Sequence, residues 1–331
     1  MVAPRASIGE DLVQWLLGGE PWTVHRTLTD LLGRAETDRE VAKAKKAIPQ
    51  HPLIKPIFEQ LNPDGYWGTP KDIHTWWPRK NTTFWLLPVL ADFGFTVADP
   101  RIARACEYVF TTQLDTGAYG WDPPNYPGDC HTAIIVESLA KLGLLGDLRL
   151  AKAYDWLGER QRLDGGFWCK DSAQPGGPRE KEPSCALATM FVLGAFAQHP
   201  KMRSSELADR GVDFLLQCWE NRGKVKYAGH DSQVGTDWEK LKYPFTDYKI
   251  LKFLDVLSQF PHAKASLRNS EILKLLFSKQ DANGRFTPES IIKTWSAFDF
   301  GQKDEASRWV TLLVWRIWAR LAAVARREAS S

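Results

Sequence analysis

A four-part phrase recurs along this chain: the end of a charged helix, a Gln in its last turn, a Gly-rich turn, and an aromatic ring that closes it. The clearest copy runs from Tyr154 through Gln161, Asp164, Gly165 and Gly166 to Phe167 and Trp168. Others are Gln113 to Gly117 and Tyr119, Gln280 to Gly284 and Phe286, and a looser first copy from Gln60 to Gly65, Tyr66 and Trp67. A degenerate copy at Phe214-Leu215-Leu216-Gln217 has a longer polar insert in place of the Gly turn. Successive Gln positions lie roughly 50 to 60 residues apart, a period that signals stacked two-helix units.

The segments on either side of each turn differ in kind. Those before it, such as Pro100 to Thr112, Leu148 to Gln161, Ser204 to Gln217 and Arg268 to Gln280, alternate apolar and charged faces. Those after it, such as His131 to Val136 and Cys185 to Phe196, are apolar nearly all round. A helix apolar on every side has to be buried, whereas an amphipathic one covers a core with one face. The expected fold is therefore all-α, a single α/α toroid (barrel) of about five to six helical hairpins with inner and outer rings. Residues 53–331 form the repeat domain in this reading, and residues 1–52 supply N-terminal helices packed on it, with Pro21 opening one of them.

Such a ring brings the starts of the inner helices to one rim. Asn81, Thr82 and Trp85 would meet there with Asp129, Cys130 and His131, with Ser184 and Cys185, with Phe245, Thr246, Asp247 and Tyr248, and with Arg308 and Trp309. Long Pro- and Gly-rich inserts lead into these positions, and long loops are where function concentrates.

Composition narrows the partners. A net charge of +3 over 331 residues leaves no basic stripe for nucleic acid. No apolar run reaches the roughly 18 to 20 residues of a membrane span, and no signal-peptide core is present at the N-terminus, so a cytoplasmic protein is expected. Five irregularly spaced cysteines fit reduced thiols rather than a disulfide framework. Fifteen tryptophans either staple the repeats or line a hydrophobic cavity. The oligomeric state is not written in the sequence.

The repeats and their Gly-aromatic turns resemble those of the terpenoid cyclase and protein prenyltransferase superfamily, whose squalene-cyclase-like members carry Gln…Gly-x-Trp (QW) repeats. The resemblance runs from about Leu53 to Leu321. The segments Trp238 to Asp247 and Ser307 to Leu312 look like those of a small single-domain prokaryotic, cyclase-like branch. The Asp-x-Asp-Asp segment that protonates substrate in the full-length triterpene cyclases is missing, as is the Asp-Asp-x-x-Asp of the diphosphate-dependent class. Prenyltransferase β subunits hold zinc with an Asp, a Cys two residues later and a distant His. Here Asp129 and Cys130 are adjacent, so that ligand set does not carry over.

Three groups of residues are candidates for chemistry. Cys130, Cys169 and Cys185, with His131 or Asp129 as a fourth ligand, form a candidate zinc site, since zinc takes thiolate, imidazole and carboxylate; buried small thiols are the alternative. Asp247 with Tyr248, and Asp129 with His131, are the candidate catalytic groups. A carboxyl in an aromatic, poorly hydrated pocket can donate a proton to an alkene, epoxide or carbonyl, but Asp and Ser at a helix start also serve as caps. His74, Trp76, Trp77 and Arg79 form a candidate lid, and with Trp85, Phe245 and Trp309 they would contact a hydrophobic or aromatic ligand; a staple for the rim is the plainer role.

Phe298-Asp299-Phe300-Gly301 matches a kinase tripeptide, but no Gly-rich phosphate loop accompanies it, and the reading sets it aside. Gly-x-Ser-x-Gly is absent and no nucleotide cofactor is indicated. The functional expectation is an enzyme that binds a hydrophobic small molecule and uses zinc or a buried acid for cyclisation, isomerisation, elimination or group transfer. A non-catalytic binding or scaffold toroid, and a zinc-dependent prenyltransferase without an α subunit, are the alternatives.

Overall fold

The computed structural model describes residues 8–76, 81–121, 126–168, 181–225, 227 and 236–328. Its helices in chain order are α1 (Glu10–Leu17), α2 (Pro21–Arg26), α3 (Arg39–Ala47), α4 (Lys55–Glu59), α5 (Thr83–Phe93), α6 (Pro100–Thr111), α7 (Asp129–Leu139), α8 (Leu148–Gly158), α9 (Ala186–Gln198), α10 (Pro200–Arg203), α11 (Glu206–Glu220), α12 (Ile250–Leu257), α13 (Pro261–Arg268), α14 (Glu271–Phe277) and α15 (Arg308–Glu328). Among the described residues the strands are one antiparallel pair, β1 (Gly120–Trp121) and β2 (Tyr126–Pro127). The chain forms two compact units: residues 58–236, and residues 1–57 together with 237–331.

In the unit of residues 58–236, the expected contrast between helices holds. Every residue of α7 is buried, as is α9 from Ala186 to Ala197 and α5 apart from Pro88. The neighbouring α6 buries only Ile102, Ala105, Cys106, Val109 and Phe110, the spacing of one helical face. Asp99, Asp147 and Ser205 cap α6, α8 and α11 with their side chains, whereas α5 and α7 start without a side-chain cap. Lys141 ties two buried acids together, donating to Asp92 at 2.9 Å and to Glu137 at 2.7 Å.

In the unit of residues 1–57 and 237–331, α1 and α2 pack against α15. A buried charge network adds to that contact. Arg316 of α15 donates to Asp30 at 3.2 Å and to Asp255 of α12 at 2.8 Å, and Arg320 reaches the same Asp255 oxygen at 2.9 Å.

The turns repeat in atomic detail. In each, one amide closes onto the carbonyl four residues on: Asn62 to Tyr66, Leu114 to Ala118, Arg162 to Gly166 and Asp281 to Arg285, all at 2.9 Å. The aromatic residue then donates its own N–H to a Thr hydroxyl in the helix that follows. These pairs are Trp67 to Thr83 at 2.8 Å, and Tyr119 to Thr132, Phe167 to Thr189 and Phe286 to Thr311, each at 2.9 Å. The Gln supplies the outer half of the latch. Gln161 Nε2 donates to Gly165 O at 2.9 Å and to Leu207 O of α11 at 2.7 Å, and Gln113 does the same to Gly117 and to Arg149 of α8.

Candidate active site

The unit of residues 58–236 collects its aromatic rings around Trp76. That ring lies 5.1 Å from Trp85, 5.5 Å from Trp121, 5.9 Å from Phe84 and 6.0 Å from Phe191. Trp85 Nε1 donates to the Trp76 carbonyl at 3.1 Å, which fixes the backbone that carries the ring. Next to this cluster His131 stacks on Phe84 at 4.3 Å and 11° and meets Trp121 at 4.9 Å. Burial, and then the charge of His74, push the His131 pKa down to about 3, against a backbone hydrogen bond with Ile73. The imidazole is therefore neutral, and its Nδ1 is buried without a hydrogen-bond partner among the described residues. His74 is held through Nδ1 and the Gly120 carbonyl, 2.9 Å apart.

Asp129 sits one residue inside α7, because Gly128 rather than Asp129 is the N-cap. Its carboxylate is fully buried; Oδ1 pairs with Arg160 Nε and Oδ2 accepts the Trp168 N–H, both at 3.0 Å. The side chain therefore does not cap α7. A guanidinium on one oxygen and an amide on the other hold the carboxyl in place.

The cap of α9 is likewise not Ser184. Cys185 caps it, its Sγ accepting from the Ala188 amide at 3.5 Å, while Ser184 bonds to Asp164. Cys130 and Cys185 are both buried, and Cys169 lies outside the described residues. Among the described residues no three His, Cys, Asp or Glu side chains are grouped to hold a metal ion. Trp77 and Arg79 of the expected lid also lie outside the described residues.

The unit of residues 1–57 and 237–331 has its own aromatic shell. Tyr243 stands at its centre, 4.9 Å from Phe300, 5.0 Å from Phe245 and 5.6 Å from Trp309. Phe298 stacks on Phe300 at 5.2 Å and meets Trp295 at 5.1 Å and Trp22 at 5.7 Å. Asp247 and Tyr248 do not open a helix as expected, since α12 begins at Ile250 after Lys249. The Asp247 carboxylate is bound by the Lys242 ammonium, and Tyr248 packs its ring on Trp238 and Phe253, each 5.9 Å away. Phe245 offers its face to Lys252 Nζ at 5.1 Å.

The carboxyl that fits an acid is Asp299, which the sequence reading set aside. Its Oδ2 accepts the Trp309 N–H and the Ser307 hydroxyl, both at 3.0 Å. Its Oδ1 is sealed from solvent and has no partner among the described residues. Burial first, and then the charge of Glu20, raise its pKa to about 6 against the pull of those hydrogen bonds. The usable signal was there in the sequence: a lone carboxyl bracketed by Phe298 and Phe300, shortly before Ser307-Arg308-Trp309.

No curated protein matches the chain. Among solved structures, a protein from Actinoplanes aligns at 17% identity over 92% of this chain and 90% of that one, with a TM-score of 0.47. The type II terpene cyclase MstE from Scytonema aligns at 15% identity over 92% and 88%, with a TM-score of 0.46. A glycosyl hydrolase family 88 protein from Bacteroides vulgatus aligns at 12% identity over 95% and 97%, with a TM-score of 0.45. The decisive match is of sequence: residues 75–252, more than half the chain, fit the squalene-hopene cyclase C-terminal domain. The chain belongs to that family, within the terpenoid cyclase superfamily, and its all-α fold is of the α/α toroid class.

Proposed function

We propose that the chain is a cyclase-like enzyme acting on a hydrophobic, isoprenoid-type small molecule, and that Asp299 starts the reaction by protonating an alkene or epoxide. The observation that supports this most is the asymmetry of that carboxyl: one oxygen fixed by two donors, the other sealed and without a partner among the described residues. In the first step the Asp299 O–H bond breaks and the proton goes to the substrate carbon or the epoxide oxygen. A cationic carbon forms, and aromatic faces stabilise such charge. The carboxylate left behind keeps the hydrogen bonds from Trp309 and Ser307, donors already placed where the negative charge develops.

A pKa of about 6 sets the pH dependence. The acid form is full below that value, so activity is expected to fall as pH rises through about 6. The test incubates the protein with acyclic isoprenoids, with and without a terminal epoxide, and reads products by gas chromatography and mass spectrometry. Wild type is expected to form cyclised or isomerised products that gain one deuterium in D2O, and Asp299→Asn is expected to lose about a hundredfold or more in rate. Wild-type turnover in a folded Asp299→Asn protein, or no turnover of any isoprenoid by wild type, overturns the proposal.

A further inference from the structure

A second buried carboxyl belongs to the segment packed against the one that carries Asp299. Glu20 precedes α2 but does not cap it with its side chain. Its Oε2 is instead buried, without a hydrogen-bond partner among the described residues, as is Oδ1 of Asp299. The start of α2 is pressed onto the segment that carries Asp299. The Trp22 ring meets Phe298 at 5.7 Å, and a Cβ built on Gly19 would come within 2.8 Å of Arg308 Cδ at the start of α15. Two neighbouring carboxyl groups with sealed, unbonded oxygens cannot both ionise without a large cost, so one of them keeps its proton.

We propose that Glu20 is a positioning residue for the acid: its buried carboxyl, on the segment packed against Phe298 and Arg308, keeps the proton on Asp299, which makes the N-terminal segment part of the proton-donating site. This rests on the reading of Asp299 as the acid. The electrostatics agree, since Glu20 is the largest cause after burial of the upward shift at Asp299.

The other charged groups nearby do not replace it. Arg308 donates Nε to the Trp15 carbonyl at 2.9 Å, and its guanidinium and that of Arg285 lie over the Trp15 ring at 4.9 and 4.4 Å. His51, edge-on to Trp22 at 4.8 Å, is held below its ordinary pKa by burial and drawn back up by Glu20. The groups that reach Asp299 from the start of α15, the Ser307 hydroxyl and the Trp309 amide, are neutral donors.

Titration of the full-length protein labelled with 13Cγ-aspartate, followed by NMR without substrate, tests this. Wild type is expected to show one aspartate with a midpoint of about 6, missing in Asp299→Asn. In Glu20→Gln that midpoint is expected to fall by ~0.5 pH unit or more, about a threefold fall in the ratio of protonated to ionised Asp299 at fixed pH, with recovery in Glu20→Asp. Glu20→Ala is the second variant, should the Gln side chain disturb folding, and it must move the midpoint the same way. A midpoint unchanged in folded Glu20→Gln and Glu20→Ala overturns the role of Glu20 and leaves Asp299 as the acid. If no wild-type aspartate titrates near 6, the reading of Asp299 fails, and this one with it.

Discussion

Asp129 and Asp299 are built alike and end up as different chemical objects. Asp129 opens α7 and Asp299 precedes α15, and each accepts the backbone N–H of a tryptophan at 3.0 Å, Trp168 in one case and Trp309 in the other. Asp129 spends its second oxygen on Arg160. Asp299 has a bare second oxygen and Glu20 for a neighbour. Burial alone thus does not set a carboxyl's chemistry; the sign of the nearest charge favours or opposes its ionised form.

The comparison can be broken at several points. The largest expected effect is at Asp129. Changing it to Ala removes the anionic partner of a mostly buried guanidinium and the acceptor of the Trp168 amide, and should cost about 4 kcal/mol. Urea unfolding measures it, and a loss under about 1 kcal/mol would mean that the pair with Arg160 is not structural.

The turns of the two units come next. An Ala at Gly165 would have to hold a φ of 84° with its Cβ 2.5 Å from the Arg210 carbonyl. At Gly284 the φ is 78°, but the nearest atom is a Leu12 methyl at 3.4 Å. Gly165→Ala should therefore cost about 3 kcal/mol and Gly284→Ala only about 1, the latter being the backbone penalty alone. Equal losses in thermal melts would show that the close approach to α11 carries no weight.

The last effect has the opposite sign. Because folding raises the Asp299 pKa from 3.8 to about 6, the wild type gives up stability as pH rises between those values. Above about 6 the penalty is complete, and below about 4 it is absent. Asp299→Asn is expected to be more stable than wild type at pH 7.5, on the order of 1–2 kcal/mol, and to lose that advantage at pH 4. Parallel stability curves across this range would contradict a raised Asp299.

What could be read from the sequence was whatever the chain settles over a few residues. A Gly at positive φ, a ring after it and an apolar helix beyond are neighbours in sequence, so the turns at Gly117, Gly165 and Gly284 and the burial of α7 and α9 were legible. Charge pairing is not local in that sense. Asp129 read as a cap or an acid because Arg160 lies 31 positions away. Asp247 read as the start of a helix because nothing in its immediate surroundings foretold that Lys242 would turn back onto it. Asp299 was weighed only as part of a kinase-like tripeptide, because Glu20 belongs to the other end of the chain.

The Gln latches have a chemical weakness that is separate from their thermal strength. Both protons of the Gln161 amide nitrogen are spent, one on Gly165 and one on Leu207. Hydrolysis of that amide to a carboxylate would leave lone pairs facing two carbonyl oxygens, so each clasp would turn into a repulsion. Slow deamidation at Gln113 and Gln161 would therefore age this scaffold at its seams, well before any change in its apolar core.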